Sequence, residues 1–151
     1  MTYVAGDAPP PGSCIFCDRP KASDARENLV VHTAADTVVM LNRFPYNPGH
    51  LLVAPRSHVA DLGALGASDF AALMERLRDA AAILKRELRP DAMNVGLNLG
   101  RVAGAGIDAH LHWHIVPRWD GDTNFMPVTA ATKVIPQHLH ETWDKLAPHF
   151  R

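Results

Sequence analysis

The chain has 151 residues, of which 47% are hydrophobic and 21% charged, a balance typical of one globular domain and not of a disordered segment. The formal net charge of -1 provides no positive field for nucleic acid, although local groups can still hold a small anion. No apolar run reaches the roughly 20 residues that a membrane-spanning helix needs, so we expect neither nucleic acid nor a membrane as partner.

The N-terminal residues 1–13 are rich in Pro, Gly and Ala and lack the charged-then-apolar pattern of a secretion signal. We therefore expect a flexible leader, followed by one domain over residues 14–151. The only cysteines, Cys14 and Cys17, form a C-x-x-C pair. Because two cysteines make no extracellular disulfide framework, we predict a reducing, cytoplasmic location.

A β-hairpin is predicted in the first third of the chain. Residues 37–41 form a short β-branched and apolar run that is typical of a strand. Two prolines and a glycine over residues 45–49 indicate a turn. A second apolar run at 51–54 then completes an antiparallel pair.

A long helix is predicted from Ser68 to Leu88, with Ser68 as the N-cap and Pro90 ending the run. Its apolar residues recur at helical spacing, at Phe70, Leu73, Met74, Leu77, Ala81, Leu84 and Leu88. Two further strands are predicted at 92–99 and 111–116, and a short helix at about 136–146. A strand-rich chain with one long helix indicates an α+β fold with an antiparallel sheet.

Three histidines alternate with apolar residues, as His110, His112 and His114. In a strand these side chains form a row on one face, while Leu111 and Trp113 point to the other. Three imidazoles are poor core packing without partners for their six ring nitrogens. The pattern leaves two interpretations open, a metal site or nucleophilic and acid chemistry on a phosphate.

A glycine-rich loop, residues 100–106, directly precedes this row. Glycine permits close backbone approach, so Gly104 and Gly106 are predicted to present amide hydrogens to phosphate oxygens. The loop thus favours phosphate chemistry. For Cys14 and Cys17, the spacing allows both thiolates to bind one zinc ion, with a redox pair or two inert core thiols as alternatives.

The run from His110 to Val116 resembles the signature of the histidine-triad family, His-φ-His-φ-His-φ-φ, where φ is apolar. Residues 42–53, with an Asn and a Pro-Gly-His turn before a strand, resemble the second signature of that family. The resemblance covers about residues 14–119. It implies a five-stranded antiparallel sheet with one long helix and a short C-terminal helix, assembled as a homodimer.

The resemblance also implies residue roles. His112 would attack the α-phosphorus and form a nucleotidyl-histidine, its other ring nitrogen donating to the carbonyl of His110. His114 would bind phosphate oxygens and stabilise their charge. The substrate would be held at the ribose and at the phosphates by Asn42, Asn98, Gly104 and Gly106.

Segments 95–100 and 117–125 are most similar to members that are bacterial diadenosine tetraphosphate phosphorylases. Phosphorolysis to ADP and ATP is therefore the expected reaction. The stretch 118–125 offers one cation, amide and hydroxyl donors and a glycine, groups suited to the acceptor phosphate, with Trp119 and Asn124 as substrate-binding residues. One departure is Ile107, where most members carry Ser or Thr near the leaving group.

Some members carry the same cysteine pair, completed by a histidine after the second signature strand and by the first triad histidine. The resemblance thus implies a closed, structural zinc site of Cys14, Cys17, His58 and His110. Two alternative functions remain. One is a hydrolase that releases AMP from dinucleoside polyphosphates or phosphoramidates, and the other is a non-catalytic, zinc-stabilised nucleotide-binding protein.

Overall fold

The computed structural model describes residues 12–122 and 139–150, so most of the predicted leader lies outside the described residues. Within these ranges the strands are β1 (Val30–Thr33), β2 (Thr37–Leu41), β3 (Leu51–Pro55), β4 (Ala92–Leu97) and β5 (Trp113–Arg118). The α-helices are α1 (Ile15–Asp18), α2 (Ala67–Leu88) and α3 (Leu139–Leu146). None of the helices in the described ranges has the length and hydropathy to span a membrane.

The five strands form one antiparallel sheet in the order β1-β2-β3-β5-β4. The predicted hairpin is confirmed as β2 and β3, in which Leu41 pairs with Leu51. Because β5 inserts between β3 and β4, the triad segment lies in the middle of the sheet and beside the second signature strand. The α+β class, the long helix and the short C-terminal helix are confirmed.

The sheet separates two apolar clusters because successive side chains of a strand point to opposite faces. On one face, side chains such as Val39, Leu51 and Ile115 pack against Leu73 and Leu84 of α2. The other face carries a smaller cluster, to which α1 contributes, formed by Cys14, Phe16, Val30, Val38, Met40, Leu52 and Ala54. Helix α1 therefore lies on the face of the sheet opposite α2.

Two predicted details at the start of α2 were wrong. The helix begins at Ala67 with Gly66 as its N-cap, so Ser68 lies inside the helix and caps nothing. Phe70 is 41% exposed because it sits in the first turn, beyond the apolar cluster. The helix ends at Leu88 as predicted, with Arg89 in a left-handed conformation (φ 49°) directly before Pro90.

Strand β1 was not located from the sequence. It has four residues, and its register shifts between Val30 and His32, which breaks the alternation that identifies a strand. Strand β4 ends at Leu97, two residues earlier than predicted, and β5 begins at Trp113 and continues to Arg118. The predicted start of the C-terminal helix at about 136 lies outside the described residues.

Candidate active site and metal centre

Only part of the triad segment lies within the sheet. Only His114 lies within β5, while His110 and His112 lie in the segment directly before it, because regular pairing with β4 starts at Trp113. The predicted alternation nevertheless holds. Leu111 and Trp113 belong to the α2-side cluster, whereas the ring of His112 packs at 5.0 Å from that of His114, on the other face.

His112 is held in one tautomer by the backbone. Its Nδ1 lies 2.8 Å from the carbonyl oxygen of His110, and since a carbonyl only accepts, Nδ1 must carry the proton. The lone pair therefore resides on Nε2. Burial lowers the pKa of His112, although the hydrogen bond to the His110 carbonyl acts in the opposite direction. A neutral imidazole with a free Nε2 lone pair is the form required of a nucleophile.

His114 is oriented by a residue to which the sequence assigned no role, His50. The backbone N–H of Tyr46 donates to His50 Nδ1 at 3.2 Å, so the His50 proton lies on Nε2. That Nε2 is 2.9 Å from Nδ1 of His114 and donates to it, which leaves the proton of His114 on its own Nε2. Within the described structure His114 Nε2 is buried and has no hydrogen-bond partner, so it is available to an anionic oxygen.

Both members of this pair are neutral at pH 7. Burial, reinforced by the neighbouring His114 and His112, lowers the pKa of His50 to about 3. Burial and the neighbouring His112 lower the pKa of His114 to about 4. The signal for His50 was present in the sequence, since it ends the Pro-Gly-His turn, and the pairing of Leu52 with His114 places that turn beside the triad.

Asn42 also supports His50. Its Nδ2 lies 3.3 Å from His50 Nδ1, and its Oδ1 accepts the N–H of Phe44 at 2.9 Å. These contacts connect the start of the turn to the buried histidine, a positioning effect that the sequence did not predict. Ribose binding by Asn42 remains a prediction.

The glycine loop lies where the sequence placed it. The last β4–β5 pair is Leu97–Trp113, so Asn98 directly follows β4 at the end of the sheet where His112 directly precedes β5. Gly104 adopts φ 93°, and a Cβ built on it would lie 3.6 Å from Nδ2 of Asn98. The Gly104 N–H donates to the carbonyl of Arg101 at 3.0 Å. Phosphate contacts by Gly104 and Gly106 remain predictions. Gly106 is exposed.

Ile107, the departure from the family pattern, packs against the α1-side cluster. Its side chain therefore contributes apolar contact and no hydroxyl.

In the stretch predicted to hold an acceptor phosphate, the charged side chains hydrogen-bond to each other. Arg118 donates from Nε and Nη2 to the two carboxylate oxygens of Asp122, at 2.8 and 2.6 Å. Asp122 also accepts from Asn47 and from the backbone of Trp119. Arg118, the cation of this stretch, is thus paired with Asp122, and Asn124 lies outside the described residues. Phosphate binding by the stretch remains a prediction.

Trp119 directly follows β5 and comes five residues after His114. Its backbone N–H donates to Asp122 at 3.0 Å. Its predicted substrate contact remains a prediction.

A second site adjoins the triad. One ligand atom from each of Cys14, Cys17, His58 and His110 lies within 4.8 Å of all the others. The Nδ1 of His110 is 3.3 Å from Cys14 Sγ and 3.1 Å from Nδ1 of His58, and Cys17 Sγ is 3.4 Å from His58 Nδ1. Burial, followed by the hydrogen bond to Cys14, raises the pKa of the Cys17 thiol, an effect that a bound cation would reverse. The structure therefore brings all four predicted ligands together.

The donor set fits a tetrahedral metal. Metal–nitrogen bonds of 2.0–2.1 Å and metal–sulfur bonds of 2.3 Å require neighbouring donors to be roughly 3.3–3.8 Å apart, close to the distances observed. Nε2 of His110 donates to the carbonyl of Pro55 at 2.9 Å, which leaves the lone pair on Nδ1, toward the sulfurs. The four residues thus form a possible Cys2His2 metal site between α1, the end of β3 and the triad segment.

Comparison with known proteins agrees with this geometry. The adenosine 5'-monophosphoramidase of Schizosaccharomyces pombe is 30% identical over 106 residues, which cover 70% of this chain and 74% of that protein. AP-4-A phosphorylase from Mycobacterium tuberculosis is 45% identical over 132 residues, 87% of this chain and 67% of that protein. A Zn-bound histidine triad family protein from Mycobacterium smegmatis has the same fold, with a TM-score of 0.68 at 22% identity, over 91% of this chain and 92% of that one. The model of the HIT domain matches residues 24–121, more than half of the sequence, and the chain belongs to this family.

Proposed function

We propose that this protein is a nucleotidyltransferase that cleaves a dinucleoside polyphosphate at its α-phosphate through a covalent bond to His112. The observation that carries the proposal is the 2.8 Å hydrogen bond from His112 Nδ1 to the His110 carbonyl, which leaves a lone pair on Nε2. The adjacent His114 offers a buried Nε2–H with no partner in the described structure. A nucleophile and an anion-binding donor thus lie side by side.

In the first step, Nε2 of His112 bonds to the α-phosphorus, the bond to the bridging oxygen breaks, and the nucleoside polyphosphate leaves with that electron pair. His114 donates from Nε2 to a non-bridging oxygen, where negative charge develops. In the second step, an oxygen of the acceptor displaces His112 from phosphorus and restores the free imidazole. Dividing one displacement into two is the advantage of a covalent intermediate.

Diadenosine tetraphosphate is the proposed substrate and inorganic phosphate the proposed acceptor, which gives ADP and ATP. This choice rests on the 45% identity to AP-4-A phosphorylase and not on the stretch after β5, whose Arg118 is paired with Asp122. The 30% identity to an adenosine 5'-monophosphoramidase favours a second candidate, transfer to water with release of AMP.

Product analysis distinguishes these candidates. Wild-type protein incubated with diadenosine tetraphosphate should form ADP and ATP, at a rate that rises with phosphate and then saturates. AMP and ATP in amounts independent of phosphate would identify water as the acceptor. His112→Asn should form neither product set nor an adenylylated protein detectable by mass spectrometry. His140→Asn, which removes a partly exposed histidine outside the cluster, is the matched control.

We also propose that zinc occupies the Cys2His2 set and that its role is structural. Four protein ligands leave no open position for substrate, and the site joins the N-terminal segment to the triad. The fold relative from Mycobacterium smegmatis is described as Zn-bound. Two free thiols in a metal-ligand arrangement suit a reducing compartment, which supports a cytoplasmic location. Metal analysis of the purified protein should find about one zinc per chain.

A homodimer formed through β4 is the proposed assembly. This strand lies at the edge of the sheet, and Val95 on it and Leu99 just after it are 49% and 48% exposed. An exposed apolar edge strand is suited to pairing with a second chain. Analytical ultracentrifugation should show a dimer that Val95→Lys dissociates, and a monomeric wild type would contradict the proposal.

A further inference from the structure

The histidines proposed to act on the α-phosphate carry no positive charge. The pKa values of His50 and His114 are lowered to about 3 and about 4, and burial also lowers the pKa of His112. At pH 7 these rings therefore supply a nucleophile and hydrogen bonds but no cation. The group that leaves a dinucleoside polyphosphate is a chain of charged phosphates, and charge-assisted hydrogen bonds hold such oxygens best. A cation for that chain has to come from another part of the site.

Arg101 lies in the loop that joins β4 to β5 at the triad end of the sheet. Asn98 directly follows β4 there, and His112 directly precedes β5. The loop turns back toward Asn98, because a Cβ built on Gly104 would lie 3.6 Å from its Nδ2. The Gly104 N–H donates to the carbonyl of Arg101 at 3.0 Å, which closes the turn. The loop therefore holds Arg101 at the same end of the sheet as the proposed nucleophile.

The side chain of Arg101 is anchored beside the triad segment but is open to solvent. Its Nε donates to Oδ2 of Asp108 at 3.3 Å, and Asp108 comes two residues before His110. This contact is longer than the roughly 2.7–2.9 Å of a strong charge-assisted hydrogen bond. Because the Arg101 side chain is 84% exposed, the ion pair contributes little and another anion can replace Asp108. Within the described residues, Nη1 and Nη2 of Arg101 form no hydrogen bond.

Two other arginines that follow or end strands of the sheet are less suited to this task. Arg118 is the last residue of β5, at the opposite end of the strand from His112, and its Nε and Nη2 both donate to Asp122. Arg56 directly follows β3 at the triad end, but its Nη1 is buried. Neither of them presents an open guanidinium to an incoming polyphosphate.

We propose that Arg101 binds the phosphates beyond the α-phosphate and thereby makes a polyphosphate-linked nucleotide the preferred substrate. Its planar guanidinium offers parallel N–H donors to two phosphate oxygens, and the weak contact with Asp108 is given up for that pairing. Arg101 also supplies a side-chain donor in the loop where Ile107 provides no hydroxyl. The inference rests on the proposed nucleotidyl transfer to His112 and adds the part of the substrate that decides specificity.

The test is Arg101→Gln, which removes the charge and keeps a polar side chain. The matched control is Arg78→Gln, the same change at a 72% exposed arginine of α2 that pairs with Asp79 at 3.0 Å. Two substrates are compared, diadenosine tetraphosphate and adenosine 5'-phosphoramidate, which transfers the same AMP group but has no phosphate beyond the α-phosphate. For Arg101→Gln, kcat/KM for diadenosine tetraphosphate should fall roughly ten- to hundredfold, the loss expected for hydrogen bonds between charged groups. The value for the phosphoramidate should equal that of wild type within experimental error, and Arg78→Gln should change neither value.

Equilibrium binding provides a readout that does not depend on turnover. Isothermal titration calorimetry with ATP and with AMP compares two ligands that differ only in the phosphates beyond the α-phosphate. Arg101→Gln should weaken the binding of ATP by roughly tenfold or more and leave the binding of AMP at its wild-type strength. Equal losses for both substrates or both ligands, wild-type values throughout, or the same loss in Arg78→Gln would overturn the inference. A wild-type protein that turns over neither substrate would instead refute the proposed function, and the comparison of ATP with AMP would still decide the role of Arg101.

Discussion

Acid should destabilise this protein through two histidines that are buried in their neutral form. His50 is fully buried, and the pKa values of His50 and His114 are lowered to about 3 and about 4. In the unfolded chain each returns to an ordinary value near 6.5. Below that pH the unfolded state binds protons that the folded state does not, so the free energy of unfolding rises with pH. The stabilisation is complete above about pH 7 and is lost progressively as the pH falls from about 6.5 toward the folded pKa values.

The magnitude follows from linkage. Between pH 7 and 5 each histidine whose folded pKa is lowered removes about 2 kcal/mol from the free energy of unfolding. The limiting slope is roughly 1.4 kcal/mol per pH unit. His50 and His114 together therefore remove about 4 kcal/mol, a large share of the roughly 5–15 kcal/mol typical of a folded domain.

Urea unfolding of wild type and His50→Gln at pH 8, 7, 6 and 5 measures this effect. Glutamine keeps a donor and an acceptor but does not titrate, so the variant should be less stable at pH 7 yet lose less stability on acidification. Between pH 6 and 5 its slope should be shallower than that of wild type by roughly 1.2 kcal/mol per pH unit. Metal release at low pH affects both proteins and cancels in the difference, and His140→Gln controls for loss of a histidine outside the cluster. Identical slopes for wild type and His50→Gln would refute the reasoning.

Three further predictions concern the metal, the contacts after β5 and the turn. Cys17→Ser should lose its zinc and lower Tm, because a closed metal site contributes to folding directly, and full stability without metal would contradict this. Asp122→Asn should lower the free energy of unfolding in urea by about 1–3 kcal/mol, because it weakens the contacts with Arg118. Its kcat should stay close to that of wild type, and a large fall in kcat would show that this region reaches the active site. Gly49→Ala should lower the free energy of unfolding by about 1–3 kcal/mol, because the φ of Gly49 is 80° and the new Cβ would clash with Leu88. A variant as stable as wild type within experimental error would exclude that strain.

The sequence by itself determined the parts of this protein that depend on local spacing. Alternation of His110, His112 and His114 with apolar residues predicted which side chains face the α2-side core, and the structure agrees. The helical periodicity predicted the start of α2 to within one residue. The C-x-x-C spacing allowed Cys14 and Cys17 to share an ion, and the family resemblance named the other two residues of the possible metal site. A periodicity or a spacing is a property of a few neighbouring residues, so it can be recognised in the sequence without knowledge of the fold.

The contacts that define the chemistry depend instead on residues far apart in sequence. His50 and His114 are 64 positions apart, and no local pattern shows that one donates to the other. Arg118 pairs with Asp122 because of how the chain turns after β5, and the composition of that stretch does not show this pairing. Phe16 is an ordinary apolar residue until α1 folds over the sheet and places its ring on His112. Tertiary structure decided these points because hydrogen bonds and ring stacks act over a few ångströms, and only packing brings such distant residues within that range.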